Sequence, residues 1–226
     1  MKSIIAACAA GVLVSACMSQ CAKAESFFQV EAGLGAAHIH DMGDGTWIQQ
    51  GSPNNHERTT GAAFMLGVTG TAYESARYDV RWHADYVYLG SVSASVDGLP
   101  DQFYNPSTHQ DLPGCGCRYS PFNGQGHTQG IALTADAGYT YQSIRYGVEA
   151  GPFVYWQTWH ESLYDLTGAW DNLSHKTVPQ LGYVVGASVS RGPWSVSYRY
   201  YGMKARWNPY PGLAASAHML TINYRF

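Results

Sequence analysis

A chain of 226 residues with 13% charged residues and a formal net charge of -3 lies well below the roughly one-quarter charged content usual for a soluble domain. The weakly negative balance supplies no basic footprint, which argues against nucleic acid as a partner. Aromatic residues reach 14%, with 17 Tyr among them, so the chain has many rings to place and few charges to solvate.

The N-terminus reads MKSIIAACAAGVLVSAC and runs on to Ala22-Lys23-Ala24: a basic start, a short apolar run, then small residues before a cut. That layout predicts a secretory signal over 1–24, cleaved after Ala24. The run falls short of the roughly 20 apolar residues of a helical span. Val14-Ser15-Ala16-Cys17 offers a rival, lipoprotein-type cleavage with Cys17 acylated. Residues 25–226 are then one domain of a size that suits an all-β fold. No later run is long enough for a membrane helix, so a place in a membrane would require a closed barrel, in which every backbone polar group is paired.

Alternation with period two marks the strands. The first, near 26–38, sets Phe28, Val30, Ala32, Leu34 and Ala36 against Gln29 and Glu31. The second, about 60–72, carries Ala62, Phe64, Leu66 and Val68. The third, RYDVRWHADYVYLGSV over 77–92, puts Tyr78, Val80, Trp82, Ala84, Tyr86 and Tyr88 on one face. Arg77, Asp79, Arg81, His83 and Asp85 take the other, giving way to Val87 and Leu89. Cys115 and Cys117 follow in a long connection. They are the two cysteines that would survive cleavage, and in an oxidising compartment a disulfide between them is the default expectation. A zinc site wants about four ligands at wider spacing, and no metal or cofactor is expected.

The fourth strand, about 128–141, presents Ile131, Leu133, Ala135, Ala137, Tyr139 and Tyr141 opposite Asp136. The fifth, about 144–158, sets Ile144, Tyr146, Val148, Val154 and Trp156 against Arg145 and Glu149. The sixth, about 178–190, carries Leu181, Tyr183, Val185 and Val189. The seventh, WSVSYRYYG, alternates Trp194, Val196, Tyr198 and Tyr200 with Ser195, Ser197, Arg199 and Tyr201. The last ends at Phe226, with His218, Leu220, Ile222 and Tyr224 on the apolar side and Arg225 on the other.

Connections of two or three residues follow the second, fourth and sixth strands, and long ones follow the first, third, fifth and seventh. This strict alternation predicts an eight-stranded antiparallel up-and-down transmembrane β-barrel, with three short periplasmic turns and four long external loops. By parity, Arg77, Arg81, Arg145, Arg199 and Arg225 share the lumen with Glu31, Asp79, Asp85, Asp136 and Glu149. The equal numbers predict an ion-pair network that plugs the barrel, since an unpaired ion in low dielectric costs several kcal/mol. Rings on the apolar parity gather near both rims, as bilayer interfaces select.

The signal ending AKA, the first strand FFQVEAGLG, the seventh strand VSYRYYGMK and the terminal INYRF together resemble the small Gram-negative outer-membrane barrels of the OmpA and OmpX type. The resemblance implies residence in the outer membrane among its lipid and lipopolysaccharide. It also implies that Tyr224 and Phe226 form the C-terminal signal read by the barrel-insertion machinery. It specifies fold better than activity. Three functions follow as expectations. The first is a surface-exposed barrel whose loops adhere, bind an unknown surface ligand or maintain the envelope. The second is a lipid A-modifying enzyme of deacylase type, because a His and a Ser two apart on a strand point the same way. The pairs available are His160 with Ser162 and Ser216 with His218. The third is a narrow small-solute channel, against which the balanced interior argues.

Overall fold

The computed structural model describes residues 28–42, 56–96, 102–105, 110–113, 122–164, 170–203 and 214–226. Among these lie twelve strands: β1 (Gln29–Met42), β2 (His56–Arg58), β3 (Thr60–Glu74), β4 (Tyr78–Val96), β5 (Gln102–Asn105), β6 (Gln110–Pro113), β7 (Phe122–Tyr141), β8 (Ile144–Tyr164), β9 (Trp170–Lys176), β10 (Gln180–Arg191), β11 (Trp194–Gly202) and β12 (Ala214–Arg225). Strands β1, β3, β4, β7, β8, β10, β11 and β12 pair antiparallel in that order, and β12 pairs with β1 to close the ring. The fold is therefore an eight-stranded up-and-down barrel. β2 continues the β3 edge along β4, β9 adds to β8 ahead of β10, and β5 and β6 pair only with each other.

Three tight turns share one end. Gln142 and Ser143 both take positive φ, 50° and 64°, the handedness that a two-residue hairpin turn needs to match strand twist. The long connections share the other end, which we term the loop end.

The alternation read from the sequence sorts the side chains as a lipid-facing barrel requires. Leu34 is 74% exposed, Val148 63% and Ile222 60%, whereas Asp85 is 0% exposed and Arg199 3%. Large apolar side chains stand on the outer face of every barrel strand, an area that water does not tolerate but hydrocarbon does. From Tyr146 to Trp156 on β8, ten steps of about 3.3 Å inclined at about 40° rise roughly 25 Å, the height of a bilayer's apolar band. Rings edge the band at the turn end, where Trp194 packs on Tyr224 and Tyr224 on Phe226, with centroids 4.8 and 5.0 Å apart.

β4, β7 and β8 outrun the strands predicted for them. They continue to Val96, back to Phe122 and on to Tyr164, while the predicted strands stop near 92, 128 and 158. In these extensions the outward side chains become Ser, Asn, Gln and His, so the apolar alternation fades while backbone pairing goes on. A bulge between Tyr88 and Ser91 starts the extension of β4. Gly90 sits there at φ 84°, and a Cβ on it would come within 2.9 Å of the Ala62 carbonyl oxygen. The bulge shifts the parity, so that Val92 turns inward after Val87 and Leu89. The predicted signal segment with Cys17, and Cys115 and Cys117, lie outside the described residues.

Candidate functional site

The lumen of an eight-stranded barrel is narrow enough for side chains to fill, and here they fill it in two tiers. The floor, toward the turn end, is ionic. Arg145 donates through Nε to Asp79 Oδ2 at 2.8 Å and through Nη1 to Asp136 Oδ2 at 2.8 Å. Arg199 grips Glu149 with Nε and Nη2, at 2.6 and 2.8 Å, and reaches Asp85 Oδ2 with Nη1 at 2.8 Å. Arg81 Nε lies 2.7 Å from Asp79, and Arg225 Nε lies 3.8 Å from Glu31. Ser195, Ser197, Thr221 and Asn223 complete the layer, with Ser197 Oγ 2.8 Å from Thr221 Oγ1. A space of about 20 Å³ lies within the floor, room for about one water.

Nine of the ten charged residues predicted for the lumen lie in it. Arg77 is the correction: it precedes β4 in the β3–β4 turn and is exposed, because strand parity ceases to govern where the strand gives way to the turn. His83 stands inward in its stead, with Nε2 3.5 Å from Asp136 Oδ2. The floor thus holds four guanidiniums and an imidazole among five carboxylates.

Above this level the inward residues change character on strand after strand. Asp85 gives way to Val87 and Leu89 on β4, Glu149 to Phe153, Tyr155 and Trp159 on β8, and Arg199 to Tyr201 on β11 and Met203 just beyond it. On β12, Thr221 gives way to Met219 and Ala217. The result is a mainly apolar ceiling, with Gln157 buried in it and donating through Nε2 to the Ala214 carbonyl at 2.9 Å. Phe153 stacks on Tyr155 at 5.6 Å and meets Tyr201 at 4.8 Å, while Ile39, Met65 and Val184 close around them. Met65 joins the tiers, its sulfur taking a contact from Arg199 Nη1 at 3.6 Å. The ion pairs expected for the interior occupy its lower half, and the buried apolar residues occupy the upper. On β8 the residues at 153, 155 and 159 share the parity of Glu149, and that was the signal to follow.

The two His–Ser pairs face outward near the loop end. Ser162 Oγ bonds Asn172 Oδ1 at 2.6 Å. Glu161, between His160 and Ser162, turns inward, where its carboxylate accepts from Trp159 Nε1 at 2.9 Å. His218 Nδ1 meets Tyr198 Oη at 2.5 Å, and the ring packs 5.4 Å from His40, which in turn lies 4.6 Å from His38. Ser216 pairs across the sheet with His40 and Gly202. Among the described residues no three or more His, Cys, Asp or Glu are grouped to hold a metal.

No protein-family model and no curated protein matches the chain. Solved structures do resemble it. The attachment invasion locus protein Ail of Yersinia pestis, crystallised with the heparin analogue sucrose octasulfate, is 11% identical, with 89% of this chain and 100% of that one covered and a TM-score of 0.39. The outer membrane protease OmpT of Escherichia coli is 10% identical, with 90% and 99% covered and a TM-score of 0.46. Neisserial surface protein A is 15% identical, with 88% and 96% covered and a TM-score of 0.32.

Proposed function

We propose that this protein is an outer-membrane anchor, exported by its N-terminal signal, whose plugged barrel holds the loop end rigid at the cell surface to bind a partner. The observation that carries this reading is the doubly filled lumen. Ionic floor and apolar ceiling block the axis in series, so solute passage is not what the barrel is built for. A depression of about 740 Å³ opens at the turn end beside Arg81, Arg225 and Phe226, and the floor stands between it and the ceiling. Function then falls to the extended strands and loops, as is usual on a rigid scaffold. Tyr224 and Phe226 at the terminus suit recognition by the insertion machinery.

Planar-bilayer recording tests the reading. The folded protein is expected to be electrically silent, and steady unitary conductance from the wild-type chain would replace the anchor with a channel. Unboiled samples should migrate differently from boiled ones on gels, which certifies the folded barrel before each recording.

A further inference from the structure

Where β4, β7, β8 and β9 run past the apolar band, their outward side chains form a shallow groove of about 600 Å³. The pairing register builds it in two cross-strand rows. One row aligns Gln125 with His160, and the next aligns Asn123 with Ser162 and Asn172; Ser93 and Ser95 of β4 flank the two rows in turn, and Ser174 of β9 closes the first. The volume lies within the 300–1,000 Å³ typical of small-ligand sites. Its lining is unusual for exposed sheet, because hydroxyl, amide and imidazole groups replace the charges that ordinarily solvate such a face. Glu161 also borders the groove, but its carboxylate accepts from Trp159 Nε1 at 2.9 Å on the inward side of β8. Toward the membrane the groove meets His127 and Tyr88, with rings 5.6 Å apart, and then Trp156. His127 lies above the aromatic belt, and burial, followed by the nearby His160 and Lys176, holds its imidazole below the ordinary value. The shift favours the uncharged ring.

A wall of planar amides, hydroxyls and an imidazole, with the Glu161 carboxylate already bonded to Trp159 Nε1, matches a sugar, which offers hydroxyls around its edge and C–H groups on its faces. Position selects the source. The groove is on the outside of the barrel, directly above the band that meets acyl chains, so it fronts the headgroup layer of the leaflet. We infer that this groove binds the oligosaccharide headgroup of a neighbouring outer-leaflet glycolipid, with Gln125, Asn123, His160 and Asn172 as the hydrogen-bonding residues. The inference rests on the outer-membrane placement proposed above but not on the silence of the lumen.

The test uses the full chain folded in detergent micelles. The probe is the acyl-free oligosaccharide that mild acid releases from the source bacterium's outer-membrane glycolipid. Saturation-transfer NMR should show transfer to sugar protons from the wild type. The pair Asn123→Ala and Gln125→Ala should weaken binding by about tenfold or more, the scale of two lost hydrogen bonds. Ser162→Trp, which fills the groove, should abolish transfer. Both variants are to be verified as folded by their gel shift; should the tryptophan variant not fold, the alanine pair decides alone. Absence of transfer from the wild type, or transfer unchanged in the alanine pair, overturns the inference. Transfer to heparin fragments and not to the glycolipid oligosaccharide overturns the choice of occupant. A conducting barrel would end the anchor reading while leaving this sugar measurement intact.

Discussion

The floor and the ceiling of the lumen fill one cylinder with contrasting chemistry, and the change from one to the other is seen along β4, β8, β11 and β12. Below it, Arg199 is held by three hydrogen bonds to Asp85 and Glu149. Above it, Phe153, Tyr155 and Tyr201 meet ring to ring. The ceiling gains by removing apolar surface from water and loses little when one neighbour adjusts. At full burial the floor is all or nothing, because a deeply buried ion is tolerable only while its partners stay in place. Comparing the tiers teaches that a closed barrel can be plugged either way, but that the two plugs should fail differently.

The sharpest way to break the floor is Arg199→Met, which strands Asp85 and Glu149 at nearly full burial. The expected loss is about 3–5 kcal/mol, read as a lower urea midpoint for unfolding from lipid vesicles. Adding Asp85→Leu and Glu149→Met should recover most of that loss, since a buried ion cluster replaced by apolar groups of similar volume is often neutral or stabilising. Recovery would mean that the floor can be converted into ceiling; a triple variant as weak as the single one would mean that the ionic geometry itself is required. In the ceiling, Phe153→Ala should cost about 3 kcal/mol, the lower end for a buried ring, because the adjacent Tyr155 and Tyr201 rings can move into part of the space. The planar-bilayer trace of this variant should stay silent, as the floor still closes the axis.

A smaller effect is expected at the bulge that carries β4 past the membrane band. Gly90→Ala would place a Cβ in the left-handed region at φ 84° and 2.9 Å from a backbone oxygen, an expected cost of about 1–2 kcal/mol. Hydrogen exchange should quicken in residues 91–96 and in their β7 partners while the floor amides stay protected. Uniform acceleration through the whole barrel would show instead that the extension and the lumen unfold as one unit.

Strand count and ring closure were legible in the sequence, since period-two alternation marks which face meets hydrocarbon. The Asp136 and Glu149 carboxylates could be placed in the lumen from parity alone. What escaped were features for which parity is silent or locally reset. Arg77 shares the parity of Asp79 but falls in a turn. Phe153 and Trp159 share the parity of Glu149 yet were hidden by a strand apolar on both faces. The groove of Gln125 and His160 lies where the outward face is polar, so no alternation announced that the strands continued. Nor could spacing show that Ser162 would bond Asn172 on a different strand, because that contact depends on the β8–β9 register.

Depth within the floor supplies the finest test of the comparison. Arg81 and Arg199 carry the same guanidinium and each meets a carboxylate at 2.7–2.8 Å. The Arg81 side chain, however, is 22% exposed at the turn-end mouth, against 3% for Arg199. Its partner Asp79 also keeps Arg145 when Arg81 is removed. Water at the mouth and a second cation on the same carboxylate both soften the loss, so Arg81→Met should cost under about 1 kcal/mol, the range of a solvent-screened pair. Raising the salt concentration should shrink the difference further, because exposed pairs are screened and buried ones much less so. If Arg81→Met proved as damaging as Arg199→Met, and indifferent to salt, burial would not be what governs the floor, and the contrast with the ceiling would have to rest on geometry alone.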